Sequence, residues 1–290
     1  MTYDTPQALR TALEARIGNE SAVSGLSPDR LRRRVVFQRI VTRLQRAEPG
    51  RWVLKGGMAM EVRLQDAARL TKDLDLGLRE TDVDPAELRD QVIEALVRDD
   101  DGDGFHFAVG VPARMTEDGG GHLTWRVAVE VDLAGRRFGA IKLDISPRSH
   151  ELDATDTVRL PNALDFAGFA TVDIEIVDVH RHAAEKLHGM LKDFGERENS
   201  RVRDLADLML MLDADLLSAT QLAAVVTGVW DEREATTPPA VFPDLPLSWP
   251  ERYERLAAEN DIDPPSCAAA ADRAAAHDGG SMSFSAARRS

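Results

Sequence analysis

The amino-acid sequence predicts an α+β protein in which a mixed sheet precedes a group of helices. Alternating apolar and polar residues, which mark strands, recur up to about residue 146. From about residue 178 the apolar residues instead recur at helical spacing. We therefore expect an α/β lobe over residues 1–170, a helical lobe over 171–278 and a disordered tail over 279–290.

Cap and turn residues divide the first half into elements. Ser27 and Pro28 suit the N-cap and first turn of an arginine-rich helix, and Asp84 suits the N-cap of a later one. Ala134 and Gly135 suit a hairpin turn between the last two strands. The predicted elements are a helix over 28–48, a strand over 52–55, a helix over 58–64, a strand over 73–78, a helix over 85–97, and strands over 105–109, 123–133 and 136–146.

The second half is predicted to be helical. On its first helix an apolar stripe extends to Phe194, with Lys186 at the border of the stripe. The next helix is apolar nearly all round, so Asp204 and Asp207, which share one side of it, should be buried. Buried carboxylates require partners, here Arg201, Arg203 or Lys186, or a ligand. The predicted helices cover 178–194, 201–213, 220–230, 250–260 and 266–277.

Composition and charge exclude several classes of protein. A net charge of −14 argues against a protein whose whole surface binds nucleic acid, because phosphate contacts require clustered Lys and Arg. The single cysteine excludes an internal disulfide framework and a cysteine-rich zinc site. We found neither a long apolar run nor a signal-peptide core, so we expect a cytoplasmic protein with no membrane partner.

One local basic patch stands out against the acidic background. The predicted helix over 28–48 carries seven arginines in the acidic chain. This helix is a candidate path for RNA, although a solvated amphipathic face explains the same pattern. The candidate residues are Arg32, Arg33, Arg34, Arg39 and Arg43.

Two aspartates in the segment RLTKDLDLGL point to metal chemistry. Strand alternation places Asp73 and Asp75 on one face, about 7 Å apart, where they can share a hard divalent cation. A half-exposed edge strand with a solvated polar face is the alternative. Two neighbours favour the metal site. The pair Gly56-Gly57 opens a helix where phosphate can approach backbone N–H groups, and Asp144 in a later strand adds a third carboxylate.

The segments KGGMAMEVRL, TKDLDLGL and IKLDIS together resemble the AbiEii/MenT-type nucleotidyltransferase toxin family of the polymerase-β-like superfamily. The resemblance covers about residues 55–212 and includes HAAEKLHGML and RVRDLADLML. It implies a polymerase-β-like N-terminal lobe in which Asp73, Asp75 and Asp144 bind Mg²⁺ or Mn²⁺. The residues it implies at the nucleotide are Lys55, Gly56, Gly57, Thr71, Lys186 and Asp204, and its catalytic set comprises Asp73, Asp75, Asp144, Lys186 and Asp207.

The resemblance also implies a function. We expect transfer of nucleotides from an NTP to an RNA acceptor, the 3′ end of tRNA, which would block aminoacylation, translation and growth. CTP or another pyrimidine NTP is favoured as substrate, a cognate antitoxin is expected as partner, and DNA is not. Two alternatives stay open: a protein-modifying nucleotidyl- or phosphotransferase, and a non-catalytic nucleotide-binding module. Thr71 is a hypothesised regulatory site, because phosphate beside Asp73 would repel nucleotide.

Overall fold

The computed structural model describes residues 3–69, 71–115, 123–240, 242 and 244–277. These residues form an α+β protein, as predicted, and they divide into two compact units. The first unit comprises Met1–Val62 and Leu70–Val177, and the second comprises Arg63–Arg69 and Asp178–Ser290. The predicted tail over 279–290 lies outside the described residues.

The elements follow one another in the order that the sequence indicates, with several additions. The described helices are α1 (Pro6–Ser24), α2 (Pro28–Ala47), α3 (Gly56–Leu64), α4 (Pro85–Val97), α5 (Val179–Leu191), α6 (Val202–Asp213), α7 (Ala219–Glu234), α8 (Trp249–Asn260) and α9 (Cys267–His277). The described strands are β1 (Trp52–Lys55), β2 (Asp73–Leu78), β3 (Phe105–Val109), β4 (Ala113–Arg114), β5 (Trp125–Leu133), β6 (Arg136–Pro147), β7 (Thr155–Arg159) and β8 (Asp173–Val177).

The strands of the first unit form one mixed sheet, which confirms the predicted fold class. The strand order is β3-β5-β6-β2-β1-β8-β7, and β4 pairs with β5 outside this path. The pairs β2–β6 and β1–β8 are parallel, and the others are antiparallel. The neighbouring strands β1, β2 and β6 therefore carry four of the predicted site residues side by side: Lys55, Asp73, Asp75 and Asp144.

An apolar layer packs against one face of the sheet and leaves the opposite face for functional side chains. Leu74 and Leu143 are fully buried, and they share one apolar cluster with Ile40 and Leu44 of α2. Because successive strand residues point to opposite faces, burial of these leucines directs their neighbours, Asp73 among them, to the other face.

Four of these helices and strands escape prediction from the sequence: α1, β4, β7 and β8. The buried residues Leu9, Leu13 and Ile17 give α1 its helical period, and Thr5 caps it by accepting a hydrogen bond from the backbone N–H of Ala8. Strands β7 and β8 are short, and they join the sheet through the pairing of β8 with β1, which lies far from it in the sequence.

The predicted end of the first C-terminal helix is wrong. Helix α5 ends at Leu191, so Phe194 lies beyond it and is 42% exposed instead of extending the buried stripe. Lys186, predicted at the border of this stripe, is itself buried, with 6% of its surface exposed. The reason is its partners in α6, which are described below.

Candidate functional site

The three predicted carboxylates lie on one face of two neighbouring strands, β2 and β6. On β2, Asp73 and Asp75 are half-buried, whereas the leucines that alternate with them are buried on the opposite face. Strand β6 runs parallel to β2 with Asp144 directly opposite Asp75. Directly opposed residues on neighbouring strands project from the same face. The structure therefore brings together the three acidic residues that the sequence singles out.

We call the sheet surface that carries Asp73, Asp75 and Asp144 the acidic face. A row of charged residues crosses the sheet through it. Lys55 on β1 pairs with Asp75 on β2, Asp75 with Asp144 on β6, and Asp144 with Arg126 on β5. Two cations thus flank two anions along one line perpendicular to the strands. Opposite charges on adjacent strands attract each other, and this offsets the repulsion between the carboxylates.

Arg126 makes the closest contacts with the carboxylates. Its guanidinium donates hydrogen bonds at 2.7 and 2.6 Å to the two oxygens of Asp144, in a bidentate pair. One of its nitrogens also lies 3.7 Å from a carboxylate oxygen of Asp73. The hydrogen bond with Asp144 raises the pKa of Arg126 above its ordinary value, and the nearby charges of Asp73 and Asp75 act in the same direction. The sequence analysis did not single out Arg126.

At both positions of the glycine pair, a side chain would clash with a predicted site residue. Gly56, at φ +58°, opens α3, and a Cβ added there would lie 1.9 Å from an oxygen of Asp75. A Cβ on Gly57 would lie 2.7 Å from the hydroxyl oxygen of Thr71. The N-terminus of α3 is therefore packed against two of the predicted site residues. Backbone N–H groups at such a terminus favour anions.

Lys55 has a second carboxylate partner in the first unit. Its ammonium donates a 2.6 Å hydrogen bond to Glu151, whose side chain is 1% exposed. Arg148 also contacts Glu151, at 3.2 Å. A charge-assisted pair of this kind fixes the position of the lysine at the edge of the acidic face.

In the second unit, Lys186 lies in a buried ion-pair network. Its ammonium donates to Asp207 at 2.6 Å and to Asp204 at 3.2 Å. Arg69 makes a bidentate pair with Asp207 at 2.7 and 2.8 Å, and Arg201 contacts Asp204 at 2.7 Å. The carboxylates thus have the partners that their burial requires. The sequence analysis named Arg201 and Lys186 among these partners but missed Arg69.

The charges in this network hold one another in their ionised forms. Burial on its own would raise the pKa of Asp207, but Lys186 and Arg69 together lower it below its ordinary value. Burial would lower the pKa of Lys186, but Asp207 and Asp204 raise it above its ordinary value. Both members of the Lys186–Asp207 pair are therefore charged at neutral pH.

The arginine-rich helix α2 does not present its whole basic face to a partner. Arg39 and Arg43 are buried, with 3% and 4% of their surfaces exposed, and both contact Asp103 at 2.6 Å. Asp101 binds Arg39 and Arg46, each at 2.7 Å. The acidic turn that precedes β3 therefore neutralises this end of the helix. The prediction that Arg39 and Arg43 belong to an RNA path is wrong.

Nearer its N-terminus, α2 keeps partly exposed arginines. Arg34 pairs with Glu61 of α3, and Arg32 pairs with Glu14 at 2.8 Å. Arg33 donates to the backbone carbonyl of Thr71 at 3.3 Å, two residues before Asp73. Of the five predicted RNA-binding arginines, Arg33 is thus the one whose described contact joins α2 to the site segment.

The acidic face fits a hard divalent cation in part. Asp73 and Asp75 are partly accessible carboxylates on one face, the donors that Mg²⁺ and Mn²⁺ prefer. Both oxygens of Asp144 accept hydrogen bonds from Arg126, so this carboxylate can bind a cation across both oxygens only after the guanidinium moves. Within the described ranges, no three His, Cys, Asp or Glu side chains converge as a ligand set in this conformation.

Comparisons with known proteins agree with the observed fold. A family profile described as "Nucleotidyl transferase AbiEii toxin, Type IV TA system" matches residues 39–277. Among solved structures, MenT4, a nucleotidyltransferase toxin from Mycobacterium tuberculosis H37Rv, is 18% identical with a TM-score of 0.56, covering 92% of this chain and 89% of its own. This similarity shows a shared fold.

Another solved structure, a putative nucleotidyltransferase from H. pylori, has 16% identity and a TM-score of 0.44, covering 88% of this chain and 94% of its own. The comparison with curated proteins found no match. In the part of the chain that the structure describes, no helix is both long and apolar enough to cross a bilayer.

Proposed function

The chain belongs to the AbiEii nucleotidyl transferase toxin family of type IV toxin–antitoxin systems, and from this premise we propose that it transfers a nucleotide from an NTP to the 3′ end of tRNA. One observation carries the proposal: Asp73, Asp75 and Asp144 share one sheet face beside the N-terminus of α3. Carboxylates beside a helix N-terminus combine cation binding with phosphate binding.

The reaction requires little covalent chemistry from the protein. The 3′-hydroxyl oxygen of the acceptor attacks the α-phosphorus, the bond from that phosphorus to the bridging oxygen breaks, and pyrophosphate leaves. Bound Mg²⁺ or Mn²⁺ would supply neutralisation of the phosphate charge. Catalysis then consists mainly of positioning and electrostatic stabilisation.

Each residue of the acidic face has a role in this proposal. Asp73 and Asp75 would hold the cation, and Asp144 would complete its site. Asp144 would accept the proton of the attacking hydroxyl, once it is released from Arg126. Gly56 and Gly57 would let the phosphates approach the backbone N–H groups of α3, because neither carries a side chain.

The remaining assignments rest on the family. We propose CTP or another pyrimidine NTP as the substrate, and a cognate antitoxin as the partner that a type IV system requires. Modification of tRNA at its 3′ end would block aminoacylation and stop growth. We also propose that the protein acts in the cytoplasm, where tRNA and NTP are present.

A labelling assay tests this function. The purified protein is incubated with Mg²⁺, total tRNA and each α-³²P NTP in turn. We expect label on RNA with one or a few NTPs, and no label with D73N, which keeps the size of the side chain and removes its charge. D173N is the matched control, since Asp173 is an exposed carboxylate of the same unit on β8.

The outcomes separate the proposal from its alternatives. Label on RNA that is lost in D73N and kept in D173N supports a nucleotidyltransferase that uses this site. Label on protein instead identifies a protein-modifying enzyme. If no label appears with any NTP, even with tRNA from the organism that encodes the protein, the result contradicts the proposal and favours a nucleotide-binding module.

A further inference from the structure

The side chain of Arg126 supplies a positive charge at the acidic face, the sheet surface that carries Asp73, Asp75 and Asp144. Arg126 lies directly opposite Asp144 on the adjacent antiparallel strand, and its fork engages both carboxylate oxygens at 2.7 and 2.6 Å. The same guanidinium lies 3.7 Å from Asp73. It therefore contacts two of the three carboxylates assigned to the cation.

Arg126 and a divalent cation need the same oxygens. The bidentate guanidinium occupies one lone pair on each oxygen of Asp144, and a cation bound across both oxygens would need the same edge of the carboxylate. A doubly charged ion bound to Asp144 would also lie within a few ångströms of the guanidinium and be repelled by it. Both cations cannot occupy Asp144 in this arrangement.

The guanidinium of Arg126 lies at a partly exposed position, where a bound nucleotide can reach it. Its side chain is 32% exposed, whereas the carboxylate that it binds is 12% exposed. Guanidinium groups bind phosphate in the same bidentate manner as carboxylate. An incoming triphosphate therefore offers Arg126 an alternative partner of the same geometry and higher negative charge.

We propose that Arg126 competes with the divalent cation for Asp144, so that the metal site is completed only when the guanidinium transfers to the phosphates of a bound nucleotide. This inference rests on the proposed function in that it assigns Asp73 and Asp75 to the cation. It adds a positioning residue for the reaction, and it predicts that the protein binds a divalent cation more weakly without nucleotide than with it.

A Mn²⁺ titration of the full chain without nucleotide tests this competition directly. Free Mn²⁺ is measured by its paramagnetic resonance signal for the wild type, R126Q and R126K. We expect R126Q to bind Mn²⁺ about fivefold more tightly, the change that corresponds to losing a partly exposed ion-pair competitor. R126K keeps the charge but loses the fork, and its affinity should lie between the other two.

Two controls separate competition at Asp144 from a general change of charge. R159Q removes an arginine from the same unit that pairs across β7 and β8 with Asp173 at 3.0 Å. It should leave the Mn²⁺ affinity unchanged. In R126Q/D144N the gain should disappear, because the carboxylate for which the two cations compete has been neutralised.

Each result supports or overturns the inference. Equal Mn²⁺ affinity in the wild type, R126Q and R126K overturns it, as does a gain that persists in R126Q/D144N. Thermal unfolding of each variant shows that only folded protein is compared. If tRNA is labelled but R126Q binds Mn²⁺ like the wild type, this inference fails while the proposed function stands. If R126Q tightens Mn²⁺ binding but no RNA is labelled, the proposed function fails while this inference stands.

Discussion

Replacing Gly56 with alanine should inactivate the site without unfolding the protein. A Cβ at this position would lie 1.9 Å from a carboxylate oxygen of Asp75, and real Cβ atoms essentially never approach within 3.0 Å. The carboxylate must therefore move by about 1 Å. A displacement of ~1 Å in a catalytic arrangement can reduce the rate about 100-fold. We expect kcat/KM for tRNA labelling to fall by about this factor in G56A.

The backbone cost of the same substitution can be measured separately. Gly56 has φ +58° and Gly25 has φ +74°, so alanine at either position meets left-handed strain of about 1–2 kcal/mol. A Cβ on Gly25 has no atom within 4 Å, which makes G25A the matched control for strain without the clash. Differential scanning calorimetry should show similar losses of stability in both variants.

The two variants should differ only in activity and metal binding. G25A should label tRNA at nearly the wild-type rate, whereas G56A should not. If G56A kept activity within threefold of the wild type, Asp75 would not need its observed position, and the reasoning would be refuted. Equal loss in both variants would assign the effect to backbone strain.

Three further perturbations test other parts of the account. D207N leaves the buried Lys186 and the partly buried Arg69 facing a neutral side chain and should lower the free energy of unfolding by about 3–5 kcal/mol. Because the folded pKa of Asp207 is lowered, the stability that its charge contributes is present above the unfolded pKa of ~4 and is lost as the pH falls through the folded pKa, which urea denaturation of both proteins should show. R33E should weaken tRNA binding in a filter assay and leave NTP binding intact. The control R137E replaces an exposed arginine of the β5–β6 hairpin and should change neither affinity. Unchanged tRNA affinity in R33E would exclude α2 from the RNA path. T71E places a negative charge two residues before Asp73 and should raise the KM for NTP while T71S does not; equal KM values would remove the idea of a phosphorylation switch at Thr71.

Local patterns were sufficient to predict the strands of the acidic face. Strand β2 was predicted with the bounds observed, because its apolar residues alternate strictly with Asp73 and Asp75. The neighbouring position of Asp144 was also anticipated, since a carboxylate in a later strand of the same lobe suggested an adjacent partner. The bounds of β2 depend on residues close together in the sequence, whereas the pairing of Asp144 with Asp75 joins distant residues.

The role of Arg126 depends on a bulge that the sequence does not reveal. Counting back from the β5–β6 hairpin with regular pairing would place Arg126 opposite Leu143, on the apolar face. The register shifts between Val131 and Asp132, and this shift brings Arg126 opposite Asp144. A one-residue slip reverses the face of every side chain beyond it, so the pairing was inaccessible without the structure.

The ion pairs that escaped prediction join residues far apart in the chain. Arg69 lies 138 residues from Asp207, and Arg39 lies 62 residues from Asp101. Periodicity identified the burial of Asp207 but could not choose its arginine. For the same reason the basic helix appeared to be a nucleic-acid surface until its acidic partners were located.

The most direct test of the central claim uses tRNA whose 3′ end has been chemically blocked. Periodate cleaves the terminal 2′,3′-diol and removes the attacking hydroxyl, while the rest of the tRNA is unchanged. With Mg²⁺ and the preferred α-³²P NTP, we predict label on intact tRNA, no label on oxidised tRNA, and no label on either with D73N. Equal labelling of intact and oxidised tRNA, or labelling that survives D73N, would contradict nucleotide transfer to the tRNA 3′ end at this acidic face.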